Sequence, residues 1–139
     1  MIRLIADSIE KFKDFELYLK FHPGNILEVP NQIKKNIIII NNKMSEIITD
    51  FDIAIGSCSG SANLEFFLSG KPIFIYKDPK QLNLSPLRSN PDVKFFQNKN
   101  QLANILKIKY PKQNLITMND YFNLDDKIPK WKEIIKKYS

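Results

Sequence analysis

Apolar residues gather in five short runs, at residues 15–21 (FELYLKF), 37–40 (IIII), 52–55 (DIAI), 72–76 (PIFIY) and 93–96 (VKFF). Their length, their branched and aromatic content and the turn residues around them predict β-strands. Between or after them lie segments with apolar residues three or four apart, at 44–49, 61–69 (SANLEFFLS) and 100–108, which predict helices. Gly70-Lys71-Pro72 reads as a helix stop followed by a strand start, because glycine takes the left-handed cap and proline cannot continue the helix. Ile128, Trp131, Ile134, Ile135 and Tyr138 mark one face of a last helix whose other face is rich in lysine.

Strand and helix alternate, and parallel strands require crossovers that cover both faces of their sheet. The pattern therefore predicts an α/β fold: a single Rossmann-like domain over residues 1–139, with a parallel sheet of about five strands flanked by helices. Residues 15–108 form its core, 109–126 an irregular polar connection and 127–139 the terminal amphipathic helix. A length of 139 residues suits one hydrophobic core.

Composition narrows the chemistry. One cysteine and one histidine exclude a disulfide framework and a zinc cluster built from this chain alone. Asp7 and Glu10 interrupt the stretch where a signal peptide would be apolar, and no run approaches a membrane span. A cytoplasmic protein is expected. The net charge of +6 selects no partner by itself. Nearly all the cations are lysines in a chain also rich in isoleucine and asparagine, a joint bias that nucleotide composition alone produces. The lysines do not alternate with aromatics as a nucleic-acid platform requires, so no nucleic acid is expected.

Open α/β sheets bind ligands beyond the carboxyl ends of their strands. There, 15–21 leads into His22-Pro23-Gly24, 52–55 into Gly56-Ser57-Cys58-Ser59-Gly60-Ser61, and 72–76 into Lys77 and a loop carrying Ser85 and Arg88. The 56–61 turn combines two glycines that let backbone approach a ligand with three serines at a helix start. Helix N–H groups and the dipole favour an anion there by about 0.3–2 kcal/mol, and Ser59 and Ser61 add donors. A serine N-cap in a tight turn explains the same residues without a ligand. Glu65, one turn into the helix, suits ribose hydroxyls or simply solvent. His22 exchanges protons near neutrality and follows a strand directly, which fits it to stabilise a departing phosphate; a lone histidine also serves as a structural residue.

Other motifs carry less. Asp50-Phe51-Asp52 imitates an Asp-x-Asp metal motif but precedes its strand, at the wrong edge of the sheet. Asn83-Leu84-Ser85 matches a glycosylation acceptor that a cytosolic chain would not use. Neither the dinucleotide glycine fingerprint nor the Walker pattern is present. Gly56-Ser57-Cys58-Ser59-Gly60 is a cysteine version of the nucleophile elbow, yet no histidine follows Cys58, as that hydrolase order requires. A Cys-nucleophile hydrolase ranks below a phosphate-binding turn.

Lys20-Phe21-His22-Pro23, the segment Asp52-Ile53-Ala54-Ile55-Gly56-Ser57-Cys58-Ser59-Gly60-Ser61 with Glu65 and Gly70-Lys71-Pro72, and Leu82-Asn83-Leu84-Ser85-Pro86-Leu87-Arg88 resemble the carboxyl-terminal half of GT-B glycosyltransferases. The resemblance, over about residues 15–108, is to the surface carbohydrate biosynthesis group, whose relatives include bacterial sialyltransferases, polysialyltransferases and teichoic acid glycerophosphotransferases. It implies a nucleotide-activated donor, a CMP- or CDP-linked sugar or polyol or a UDP-sugar, with no cofactor and no metal ligand assigned. By motif position, His22 would be catalytic and would stabilise the departing phosphate. Gly56, Ser57, Ser59, Gly60 and Ser61 would hold phosphate, Glu65 would take ribose hydroxyls, and Ser85 and Arg88 would belong to the same site.

GT-B enzymes place the acceptor in an amino-terminal half to which nothing in these residues corresponds. The chain is therefore expected to be a fragment or a subunit, inactive without an acceptor-binding half. A standalone nucleotide-sugar binding or partner-docking module and a nucleotide-sugar epimerase-like domain are the alternatives. The terminal helix would dock on the acceptor half, pack on this domain, or meet anionic lipid at the inner face of the membrane through Lys130, Lys132, Lys136 and Lys137.

Overall fold

The computed structural model describes residues 1–10, 12–22, 24, 28–108 and 129–138. Pro23, the 109–126 connection and Ile128 lie outside the described residues, as do the side chains of Lys130, Trp131 and Tyr138. In chain order the elements are α1 (Ile2–Ile9), β1 (Tyr18–Lys20), α2 (Asn31–Lys34), β2 (Ile38–Ile40), α3 (Met44–Ile47) continued by a 3-10 turn (Ile48–Asp50), β3 (Ala54–Ser57), α4 (Ala62–Leu68), β4 (Ile73–Tyr76), β5 (Lys94–Phe96), α5 (Lys99–Leu106) and α6 (Pro129–Tyr138).

Among the described residues the strand pairs β1-β2, β3-β4 and β4-β5 are parallel, as the alternating pattern predicts. They form two sheets rather than one. β1 pairs β2, with Tyr18 opposite Ile38, and β3-β4-β5 form a second sheet in which Ala54 lies opposite Ile73 and Phe74 opposite Lys94. A cavity of about 380 Å³ is lined by residues of both sheets, β1 and β3 among them.

β4 is apolar throughout because it is covered on both faces. Successive strand side chains point to opposite sides. Ile73 and Ile75 join Phe66, Phe67, Leu64, Leu87 and Val93 in one cluster, while Phe74 joins Phe96, Leu102, Leu106 and Ile5 in another. Each of these large side chains contributes about 1.5–3 kcal/mol through burial.

Helix α1 was not foreseen in the sequence pattern. Its Ile5 packs in the α5 cluster, whereas its neighbour Ala6 packs with Val29 and Ile37 beneath the β1-β2 sheet. One helix thus ties the two sheets together. The stop after α4 forms as expected: Gly70 takes a φ of 74°, and its N–H donates to the Phe67 carbonyl at 3.0 Å.

β3 begins and ends two residues later than its apolar run. The ladder to β4 extends through Gly56 opposite Ile75 and Ser57 opposite Tyr76, and the Cys58 N–H still donates to the Tyr76 carbonyl. Gly56 and Ser57 are therefore strand residues, and the turn proper begins at Cys58.

Lys71 fixes the entrance of both strands. Its Nζ donates to the Thr49 carbonyl at 3.1 Å and to the Phe51 carbonyl at 2.7 Å, joining the start of β4 to the segment that leads into β3. Charged donors of this kind contribute about 1.5–3 kcal/mol when the site is partly screened from water. Lys71→Met, which keeps the stem but not the charge, is expected to lower unfolding free energy in urea by about 1–3 kcal/mol.

Candidate functional site

His22 stands two residues beyond the end of β1, after Phe21, and is exposed. Its Nδ1 accepts the Gly24 N–H at 3.1 Å. That bond assigns the proton of the neutral ring to Nε2, leaving an N–H donor for a ligand.

Gly56, Ser57 and Gly60, at the carboxyl end of β3 and in its turn, line the same cavity as His22. Strand β1 delivers one group and strand β3 the other, so two segments more than thirty positions apart meet on one void. The remaining walls are largely apolar, from Ile5, Leu19, Ile40, Phe51, Ile55 and Phe66. At the β1 side the Tyr18 ring packs at a 60° tilt against Phe51 with centroids 5.1 Å apart, which joins β1 to the segment before β3. The Tyr18 hydroxyl donates to Glu16 Oε2 at 3.0 Å, and this bond to a carboxylate holds the phenol above its ordinary pKa.

Ser59 extends the polar edge, with its Oγ 3.4 Å from Ser57 Oγ, but is exposed and outside the cavity wall. Ser61 precedes α4 without a side-chain capping bond. α4 spans seven residues, so its dipole adds little to an anion site. Glu65 is exposed on the first turn of α4, outside the cavity wall.

Ser85 is fully buried. Its Oγ accepts the Leu87 N–H at 3.2 Å, and its own N–H donates to Asn83 Oδ1 at 3.1 Å, so its polar groups shape a turn. Arg88 is exposed, with a guanidinium N–H directed at the Ser85 carbonyl at 3.5 Å. Of the sequence candidates, the cavity brings together His22, Gly56, Ser57 and Gly60; Ser59, Ser61, Glu65, Ser85 and Arg88 lie outside its wall.

Two wall residues were missed in the sequence. Lys20, on β1, adds a cation to the cavity that His22 lines. Asn63, on α4, is only 5% exposed; its Nδ2 donates to the Ser57 carbonyl at 2.7 Å. A Cβ built on Gly56 would overlap the Asn63 amide, and one on Gly60 would lie 3.4 Å from Asn63 Oδ1. The bare Cα of Gly56 thus makes room for Asn63 rather than for a ligand. The signal was the glycine itself, which in a strand marks close approach of some other group.

Cys58 is buried, 2% exposed, and its Sγ points to the Leu82 carbonyl at 3.6 Å. It packs with Phe67 and Ile75 as a small core residue. Among the described residues no group of three or more His, Cys, Asp or Glu is placed to hold a metal ion.

Comparison with protein-family models, with curated proteins and with solved structures found no match.

The Gly56–Asn63 contact makes a stability prediction. Gly56→Ala is expected to cost about 1–3 kcal/mol as the amide is displaced. Asn63→Ala is expected to cost about 1–2 kcal/mol by removing the buried 2.7 Å bond to the Ser57 carbonyl, which keeps the Gly60 N–H as a donor at 3.1 Å. Because both act on one contact, urea unfolding of the double variant should give clearly less than the sum of the two losses.

Proposed function

We propose that this chain is the donor-nucleotide-binding half of a metal-independent GT-B glycosyltransferase of surface polysaccharide biosynthesis, acting on a CMP-, CDP- or UDP-linked donor. The observation that carries the proposal is that His22 and the Gly56, Ser57 and Gly60 segment line one cavity. A volume of about 380 Å³ with apolar walls and a few polar groups on one side suits a nucleoside with its phosphate.

The proposed fold is a Rossmann-like domain whose five strands run in the order β2-β1-β3-β4-β5. Two features support it. Every observed pair is parallel, and β1 and β3 line the same cavity. In this order the chain reverses direction of growth between β1 and β3, where doubly wound sheets bind their ligands.

The base and ribose would occupy the apolar wall, with the phosphate between His22 and the β3 turn. As the bond from the anomeric carbon to the phosphate oxygen breaks, its electron pair passes to that oxygen. The His22 Nε2–H, Lys20 and the Ser57 hydroxyl would stabilise the charge as it develops, which is where a donor lowers the barrier rather than merely the ground state. The acceptor hydroxyl and its base would come from an acceptor-binding half, in a longer protein or on a separate subunit. The buried, inward-turned Cys58 thiol disfavours the thiol hydrolase, because a nucleophile must reach substrate.

Calorimetric titration of the chain with CMP, CDP, UDP and inorganic phosphate tests this reading. Nucleotides are expected to bind more tightly than phosphate alone. His22→Ala and Ser57→Ala should each weaken binding by roughly 10-fold or more, the equivalent of one charge-assisted hydrogen bond. Failure of every nucleotide to bind, or binding undiminished in both variants, would refute the site. Donor turnover by the isolated chain would refute the half-enzyme view.

A further inference from the structure

Asn63 has a buried polar atom without a partner. Its Nδ2 donates to the Ser57 carbonyl at 2.7 Å, and since only the nitrogen can donate, that bond fixes which end of the amide is which. Oδ1 is the other end, and no hydrogen bond reaches it among the described residues. The residue is 5% exposed and belongs to the cavity wall. Oδ1 lies against two glycines that line the same cavity: a Cβ on Gly56 would overlap it, and one on Gly60 would lie 3.4 Å from it. Buried polar atoms of folded proteins are nearly always paired, and one that is not, in the wall of a void, calls for a partner from the void.

We propose that Asn63 is a specificity-determining residue of the nucleotide site, its Oδ1 accepting a ribose hydroxyl of the donor. The role rests on the nucleotide reading of the cavity and adds what the site selects. Oδ1 is purely an acceptor, so it rejects phosphate oxygens and base carbonyls, which are acceptors too, and takes a group that carries a proton. In a nucleotide whose phosphate lies between His22 and the β3 turn, the ribose is the adjoining unit, and its 2′ and 3′ hydroxyls are the nearest donors. Glu65, the sequence candidate for the ribose, is exposed and outside the cavity wall. Asn63 is also suited to discriminate. Its Nδ2 is committed to Ser57, and turning the amide over would set two oxygens against each other, so it cannot offer a donor in place of the acceptor. A ligand lacking the hydroxyl leaves Oδ1 buried and unpaired, the circumstance in which one missing group costs most affinity.

Calorimetric titration of the full chain compares CDP with its 2′-deoxy, 3′-deoxy and 2′,3′-dideoxy forms. The dideoxy form and at least one of the single deoxy forms should bind roughly 5-fold or more weakly than CDP. In Asn63→Ala that ratio should fall to about 1, with CDP itself weakened, whereas Glu65→Ala should keep the ratio of the parent chain. A purely structural role for Asn63 would weaken every ligand by one factor and leave the ratio unchanged. Should Asn63→Ala not fold, the Asn63 side-chain amide resonances of the parent chain decide: CDP should shift them, and the dideoxy form should shift them markedly less. Binding of none of these nucleotides overturns the nucleotide reading and this role with it. Equal binding of CDP and its deoxy forms, a ratio that survives Asn63→Ala or is lost in Glu65→Ala, or amide resonances that respond alike to both ligands overturns the role of Asn63 alone and leaves nucleotide binding standing.

Discussion

The burial of β4 on both faces is the constraint on which the rest depends. Ile73 and Ile75 must be covered by α4 and its neighbours, and Phe74 by α5 and α1; water on either side would forfeit several kcal/mol. Its neighbours β3 and β5 both run parallel to it, with α4 returning over the sheet between β3 and β4 and a helix-free connection between β4 and β5. The carboxyl end of β3 then falls at the sheet edge where α4 begins. The candidate groups on that turn are thus positioned by the packing of Ile73, Phe74 and Ile75.

A second constraint acts inside the turn. The Asn63 amide fills the space left by the missing side chain of Gly56 and holds the Ser57 carbonyl. The main chain from Gly56 to Gly60 is thereby fixed from beneath, so the face turned to the cavity can be preorganised without a ligand. His22 is held differently, by one backbone N–H on its own loop. The proposed site thus has one wall set by a buried side-chain contact and one set by a local turn. Its apolar wall draws on both sheets, through Leu19 and Ile40 of one and Ile55 and Ile73 of the other.

What was legible in the sequence follows the strength of the local signal. β4 and α4 stood out because burial on both faces and a 3.6-residue stripe leave marks on consecutive residues, and the Gly70 stop has a conformational cause that acts locally. The parallel arrangement followed from alternation. The shift of β3 was invisible, because glycine and serine have weak strand preference and only pairing with Ile75 and Tyr76 keeps them extended. α1 was overlooked although Ile2, Ile5, Ala6 and Ile9 recur three or four apart, a helical stripe shared by two clusters. The division into two sheets left no mark in the apolar pattern, which was the same for all strands. His22, Gly56, Ser57 and Gly60 could be grouped from strand ends alone. Asn63 and Lys20 could not, since one looked like an ordinary helix residue and the other like a solvated lysine.

The most direct test of the central claim follows the amide and imidazole resonances of the chain by NMR during a titration with CDP. If the nucleotide sits between the two strand ends, the His22 ring and the Gly56, Ser57 and Gly60 amides shift together along one saturating curve, while the exposed Glu65 and Arg88 amides move less. A saturating response elsewhere that leaves the His22 ring and the Gly56–Gly60 amides unmoved would contradict it.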